Sequence, residues 1–155
     1  MTSYFAIDPG KKGAVAILSA DNTVIDLCDL PYIGDNLDPV ALADILSQAD
    51  GLCGALESPL ALKGLAVGTV MMVGKNYGQI RATVALAKYP YEEVTPAKWK
   101  RDMKVTADKD SAVALALKLY PDQHDQLVGP RGGKFDGRAE ALLIAAWKRQ
   151  KEMGL

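Results

Sequence analysis

The stretch that most limits what this chain can become is Tyr4-Phe5-Ala6-Ile7-Asp8-Pro9-Gly10. A short apolar run carries one aspartate to its end and delivers it into a Pro-Gly turn. A second apolar run, Gly13-Ala14-Val15-Ala16-Ile17-Leu18, follows at once, and Thr23-Val24-Ile25-Asp26-Leu27-Cys28 comes after the next turn. Three short strands joined by tight turns predict an antiparallel meander at the start of a sheet. Asp8 then stands at the end of its strand, on the sheet's rim. Two readings of it are open here. Asp, Pro and Gly are ordinary turn formers, so Asp8 can simply begin the turn. Alternatively, its carboxylate does chemistry at the rim.

Further along, Asp38-Pro39 opens a helix with a cap residue and a proline in the first turn. Leu42, Ile45, Leu46 and Ala49 recur on one face of a 3.6-residue period. Leu52-Cys53-Gly54-Ala55-Leu56-Glu57 reads as a strand, and it too ends in an acid. Strand, helix, strand predicts a parallel crossover. Ser58 to Gly68 reads as a loop. Met71 to Leu86 reads as a long helix whose Met71-Met72-Val73 patch is expected in the core, with a dimer face as the alternative. Tyr91 to Thr95 predicts a fifth strand, Pro96 to Met103 a short helical turn, and Ala107 to Tyr120 a helix. Pro121 to Lys134 is a polar, Gly-rich loop, and Asp136 caps a last helix that runs to about Met153.

Composition excludes more than it selects. With 155 residues, one domain spanning 1–155 is the default. No apolar run approaches the roughly 20 residues of a membrane span. No basic segment leads into an apolar stretch at the N-terminus, so neither export nor membrane insertion is expected, and a cytoplasmic location is. A net charge of −1 argues against indiscriminate coating of DNA. It leaves room for a local basic face, because steering depends on how charge is distributed. Cys28 and Cys53 are expected as buried reduced thiols. The single histidine, His124, is expected at the surface among polar turn formers.

The acids carry the chemical argument. Asp8 and Glu57 end two strands, and Asp136 and Glu140 open the last helix. Residues four apart share a helix face; these two are separated by about 6 Å along the axis, at ~1.5 Å per residue. Asp136 has a ready alternative as a helix cap in a first turn that favours acids. Glu140 has none so simple, because it borders the apolar Ala141-Leu142-Leu143 run, where an acid usually has a partner. If the two strands are neighbours, four carboxylates cluster, and such a cluster needs cations. Hard Mg²⁺ or Mn²⁺ matches hard carboxylate oxygen, and a pair of such ions suits phosphodiester cleavage. Basic residues follow the same segments: Lys98, Lys100, Arg101, Lys104 and Lys109, then Arg131, Lys134 and Arg138. They are either solvated surface or phosphate contacts. Trp99, inside Lys98-Trp99-Lys100, either anchors the core or stacks on nucleic acid.

Taken together, these motifs resemble the RuvC-type Holliday junction resolvases of the RNase H-like superfamily, in particular their phage and prophage branch. The resemblance rests on Phe5-Ala6-Ile7-Asp8-Pro9-Gly10 with the strand after it, Ala55-Leu56-Glu57-Ser58-Pro59, Val94-Thr95-Pro96-Ala97-Lys98-Trp99-Lys100, Asp108-Lys109, and Asp136-Gly137-Arg138-Ala139-Glu140-Ala141-Leu142-Leu143-Ile144-Ala145. These stand in family order over nearly the whole chain, and the last is the most specific. The resemblance implies an α/β fold: a five-stranded mixed sheet, its first three strands antiparallel, flanked by helices. It implies a homodimer that cuts two strands of four-way or branched DNA and leaves 5′-phosphate ends. It gives Asp8, Glu57, Asp136 and Glu140 metal-ligand roles, with two Mg²⁺ or Mn²⁺ ions per site. Lys109 falls near a phosphate-binding position, and Lys98 and Lys100 match DNA contacts less closely. Two departures stand out. The last two acids are four apart where the bacterial housekeeping enzymes usually have three, and Leu60 and Leu62 occupy the loop where those enzymes place an aromatic wedge.

Rival readings remain at this point. One is a nuclease of the same superfamily acting on RNA or RNA–DNA hybrids. Another is a junction-binding protein without catalysis. An actin-like phosphotransferase with a nucleotide cofactor needs two such domains and further glycine-rich phosphate loops, and is disfavoured by length.

Overall fold

The computed structural model describes residues 1–59 and 62–155, and all of these side chains except that of Lys109. The chain opens with β1 (Ser3–Asp8), β2 (Ala14–Leu18) and β3 (Val24–Asp29). A small hairpin follows, β4 (Tyr32–Ile33) and β5 (Asn36–Leu37), turned by Gly34 at φ 63°. Then come α1 (Pro39–Leu46), β6 (Leu52–Glu57), α2 (Val67–Leu86), β7 (Tyr91–Val94) and α3 (Pro96–Asp102). The chain continues with α4 (Lys109–Leu119), a 3₁₀ turn at Pro121–Gln123, the short α5 (His124–Leu127) and the long α6 (Asp136–Met153).

The five long strands form one sheet in the order β3-β2-β1-β6-β7. β1, β2 and β3 pair antiparallel, while β6 joins β1 and β7 joins β6 in parallel. The first three strands are therefore the meander the sequence predicts, and α1 makes the crossover to β6. Every residue of β1 and β2 is buried, because helices cover both faces. Alternate side chains serve opposite layers. Phe5, Ile7, Val15 and Ile17 pack with Leu42, Leu46, Ile80 and Val84 under α1 and α2. Ala6, Ala14, Ala16 and Ala55 pack with Leu142, Leu143 and Trp147 under α6 and α4. Asp8 and Glu57 have the parity of Ala6 and Ala55, so both strand-end acids face the α6 layer.

Small residues on that face let α6 lie close to the sheet. At Gly137 the helix touches the β1–β2 turn, and a Cβ there would meet the Lys12 carbonyl oxygen at 1.9 Å. Both partners there are backbone, so the clash cannot be relieved by a rotamer change. Gly137→Ala is expected to cost about 1–3 kcal/mol, the usual penalty for overpacking, and to lower Tm by several degrees. Gly74→Ala is its control: a Cβ there meets nothing within 4 Å. Replacing an exposed helical glycine should be neutral or raise stability by up to ~1 kcal/mol. Thermal melts of the two variants check the contrast.

Some expectations need correction. The cap of α6 is Phe135 and makes no side-chain cap bond; Asp136 is the first helical residue. α2 begins at Val67, four residues before the expected Met71, and runs through the exposed Gly68. Met71 is 70% exposed rather than core, and Met72 and Val73 are half-buried against a cleft. The segment after Pro121 is more than a polar loop, since it carries two short helical turns and the fully buried Leu127. Cys28 and Cys53 are free thiols, half-buried rather than buried, and His124 is exposed. Among the described residues no helix is long and apolar enough to cross a membrane.

Candidate active site

Three carboxylates converge at one end of the sheet. β1 and β6 run side by side in parallel, with Ile7 opposite Leu56, so their last residues, Asp8 and Glu57, come out on the same edge. α6 crosses above them and lowers Glu140 from its second turn. Asp8, Glu57 and Glu140 each offer an oxygen within 4.8 Å of the other two. Asp8 and Glu57 are only 9% exposed. A cleft of about 250 Å³ opens beside them, lined by Tyr32, Ser58, Met72, Asn76 and Pro96 among others.

Each carboxylate has a protein donor. The Gly10 amide donates to Asp8 Oδ1 at 3.0 Å, which closes the turn that Pro9 and Gly10 begin. Tyr32 braces the same turn, donating its hydroxyl to the Pro9 and Gly10 carbonyls. The Trp99 indole donates to Glu57 Oε2 at 2.6 Å. The Lys100 ammonium donates to Glu140 Oε1 at 3.1 Å. The turn reading of Asp8 is thus correct as far as it goes: the carboxylate does hold the turn. It also belongs to an acid cluster, which a turn alone does not require.

Burial dominates the electrostatics. Desolvation lifts the Asp8 carboxyl to about 6, and Glu140 adds repulsion; Gly10 and Lys100 pull the other way. Desolvation lifts Glu57 to about 7, with repulsion from Asp8 and Glu140 adding to it, and Trp99 and Lys100 opposing. Burial therefore makes Asp8 and Glu57 resist ionisation. The donor set fits a divalent metal: three hard oxygen ligands within reach of one point, half screened from water, with excess negative charge to balance. Asp8, Glu57 and Glu140 are the residues that would hold it.

The other expected site residues spread more widely. Asp136 lies one turn before Glu140, outside the group of three, and lines a neighbouring cleft of about 500 Å³ with Lys12, Lys134 and Arg138. Arg138 spends its guanidinium on Asp29 and Gln126 and stacks on Phe135. Lys134 pairs with Asp110. Lys98 and Arg101 pair with Asp102, on the outer side of α3. Lys104, at φ 58°, and Arg131 are exposed and make no ion pair among the described residues. The side chain of Lys109, and Leu60 of the loop after Glu57, lie outside what the structure describes.

Trp99 is the residue whose place the sequence left open. It is fully buried, so it anchors the core and does not stack on nucleic acid. Its tie to Glu57, and that of Lys100 to Glu140, carry no sequence signal beyond the composition of the segment, because their partners lie 42 and 40 residues away.

No protein-family model and no curated protein matches the chain. Solved structures do. RuvC of Thermus thermophilus in complex with a Holliday junction substrate superposes with a TM-score of 0.73 at 13% identity, covering 99% of this chain and 97% of that one. A second Thermus thermophilus RuvC structure gives 0.71 at 14% identity, with the same coverage. The expected architecture is therefore the observed one: a mixed five-stranded sheet flanked by helices, in the RNase H-like fold of RuvC.

Proposed function

We propose that this chain is a metal-dependent endonuclease that resolves four-way DNA junctions by phosphodiester hydrolysis. The observation that carries it is the convergence of Asp8, Glu57 and Glu140 on one edge of a sheet whose fold matches a RuvC solved with a Holliday junction. Asp136, one turn from Glu140 on the same helix, is the fourth acid of the reading and completes the site when substrate and ions are present. Mg²⁺ is the proposed ion, with Mn²⁺ as substitute, two per site. A bound ion supplies Lewis acidity and lowers the pKa of a coordinated water. Asp8 holds its position through the Gly10 turn. Lys100 offsets the cluster's charge and lies within reach of a phosphate brought to it. Exposed Arg101, Lys104 and Arg131, with Lys98, Lys109, Lys134 and Arg138, would contact the DNA backbone, some after exchanging their acid partners for phosphates. Binding should then weaken steeply with salt. The proposed working form is a cytoplasmic homodimer, one site per subunit, cutting two strands and leaving 5′-phosphates, and the proposed branch is that of phage.

Cleavage of a synthetic four-way junction with Mg²⁺, mapped at nucleotide resolution, tests the reading. The expected result is paired nicks near the branch point, lost in Glu57→Gln. Stronger cutting of an RNA–DNA hybrid would favour the ribonuclease alternative. Tight junction binding without Mg²⁺-dependent turnover would point to a binding protein.

A further inference from the structure

Trp99 is the largest fully buried side chain in the described structure, yet it sits on a helix of only seven residues. A core position alone asks for volume, and a leucine or phenylalanine supplies that without a polar atom. Tryptophan brings an indole N–H that needs a partner once buried. Here the partner is Glu57 Oε2, at 2.6 Å. The same ring lies 5.4 Å beneath the Lys100 ammonium, and that ammonium donates to Glu140 Oε1. One side chain therefore touches both restraints that α3 places on acids from β6 and α6.

The three acids share a pattern. Asp8 Oδ1 is taken by the Gly10 amide, Glu57 Oε2 by Trp99 and Glu140 Oε1 by Lys100. Among the described residues no protein donor reaches the other oxygen of any of them. We propose that Trp99 is a positioning residue for the cation site: it turns Glu57 Oε2 toward the protein, leaves Oε1 for the ion, and steadies Lys100 on Glu140. The inference rests on the metal-site reading above and adds a selectivity device to it. Carboxylates restrained to one available oxygen suit a small ion of strict octahedral demand. Ca²⁺ more often takes both oxygens of a carboxylate, in looser geometry. Trp99 thus favours Mg²⁺ and Mn²⁺ over Ca²⁺.

The test needs no DNA. Mn²⁺ binding is measured by electron paramagnetic resonance on the free protein, with Mg²⁺ and Ca²⁺ as competitors. Trp99→Phe is expected to weaken Mn²⁺ binding about tenfold or more, the usual range for partners of metal ligands. It should also narrow the Mg²⁺-over-Ca²⁺ preference, which a purely structural role would not move. Trp147→Phe, which loses a bond to Asp102 away from the acids, should bind as the parent does. In a Glu57→Gln background, Trp99→Phe should cost less than it does in the parent, because only the restraint through Lys100 and Glu140 is left to lose. Parent-like affinity and preference in Trp99→Phe would overturn the inference and leave the metal site standing. Failure of the parent protein to bind Mn²⁺ at all would overturn the metal-site reading itself. Should Trp99→Phe not fold, the indole N–H resonance of Trp99 in the parent protein decides. It should stay shifted downfield at saturating Mg²⁺; its return to the position of a free indole would overturn the proposal.

Discussion

Asp8→Asn is expected to leave the fold intact and to slow Mg²⁺-dependent junction cleavage by on the order of a thousandfold or more. The substitution keeps an oxygen to accept from the Gly10 amide, so the turn survives. It removes the charge from the acid that β1 delivers to the centre of the cluster. Metal-assisted stabilisation of transition-state charge is worth several kcal/mol, and each ~1.4 kcal/mol is a factor of ten in rate. Single-turnover cleavage at saturating Mg²⁺ checks the rate, and circular dichroism checks the fold. A variant that cuts at the parent's rate would remove Asp8 from the proposed chemistry.

The same acids should make the metal-free protein less stable as pH rises. Asp8 is lifted from 3.8 to about 6 and Glu57 from 4.5 to about 7, both chiefly by burial. Between about pH 4 and 7 the folded state therefore holds more protons at this site than the unfolded chain does. Stability falls as pH rises wherever that is so. The loss sets in above the unfolded values and is complete once the pH passes the folded ones. At ~1.4 kcal/mol per unit, each shift corresponds to on the order of 3 kcal/mol, and the two acids titrate together as a pair. The acids held low by partners, Asp21, Glu92 and Asp102, have the opposite slope, but they act below their ordinary values. In EDTA the Tm should therefore drop from pH 5 to pH 8. Asp8→Asn and Glu57→Gln should each flatten that drop and be more stable than the parent at pH 8. Mg²⁺ at 100 times its Kd should restore about 2.7 kcal/mol to the parent and much less to the variants. A parent Tm that is flat or rising over this range in EDTA would mean the acids are not desolvated as the geometry has them. The variants expected to lose activity should therefore gain stability.

Much of this was legible in the chain. β1 and β6 could be read because a strand buried on both faces is a continuous apolar run, and Asp8 and Glu57 stood out as the only acids those runs contain. Asp38 marked its helix start, and its side chain accepts from the amides of Val40 and Ala41; Thr95, read as the end of a strand, is instead the cap of α3 and accepts from the Lys98 amide. The β4–β5 hairpin was not legible, since two-residue strands have no period. Nor was the exposure of Met71: a helix this apolar looks buried until its neighbours are placed. Leu127 was hidden because a polar run, Asp122 to Gln126, leads into it and Gly129-Pro130 soon follows.

What the sequence determined alone is local. Apolar runs, their lengths and their terminal acids follow from the alternation of side chains and the chemistry of turns; with the helix-face pair Asp136 and Glu140 they marked Asp8, Glu57, Asp136 and Glu140 as candidates, while the full five-stranded sheet was implied by the family resemblance. What only the tertiary structure decided is which groups meet. Parallel pairing brought Asp8 and Glu57 to one edge, and the close approach at Gly137 seated α6 so that Glu140 joined them while Asp136 lay one turn outside. The same packing paired Lys100 with Glu140 of the cluster and Arg138 with Asp29 away from it, though both read alike as basic residues near acids. Contacts across 40 or more residues depend on how layers dock, and docking is set by the summed packing of the core rather than by any one segment.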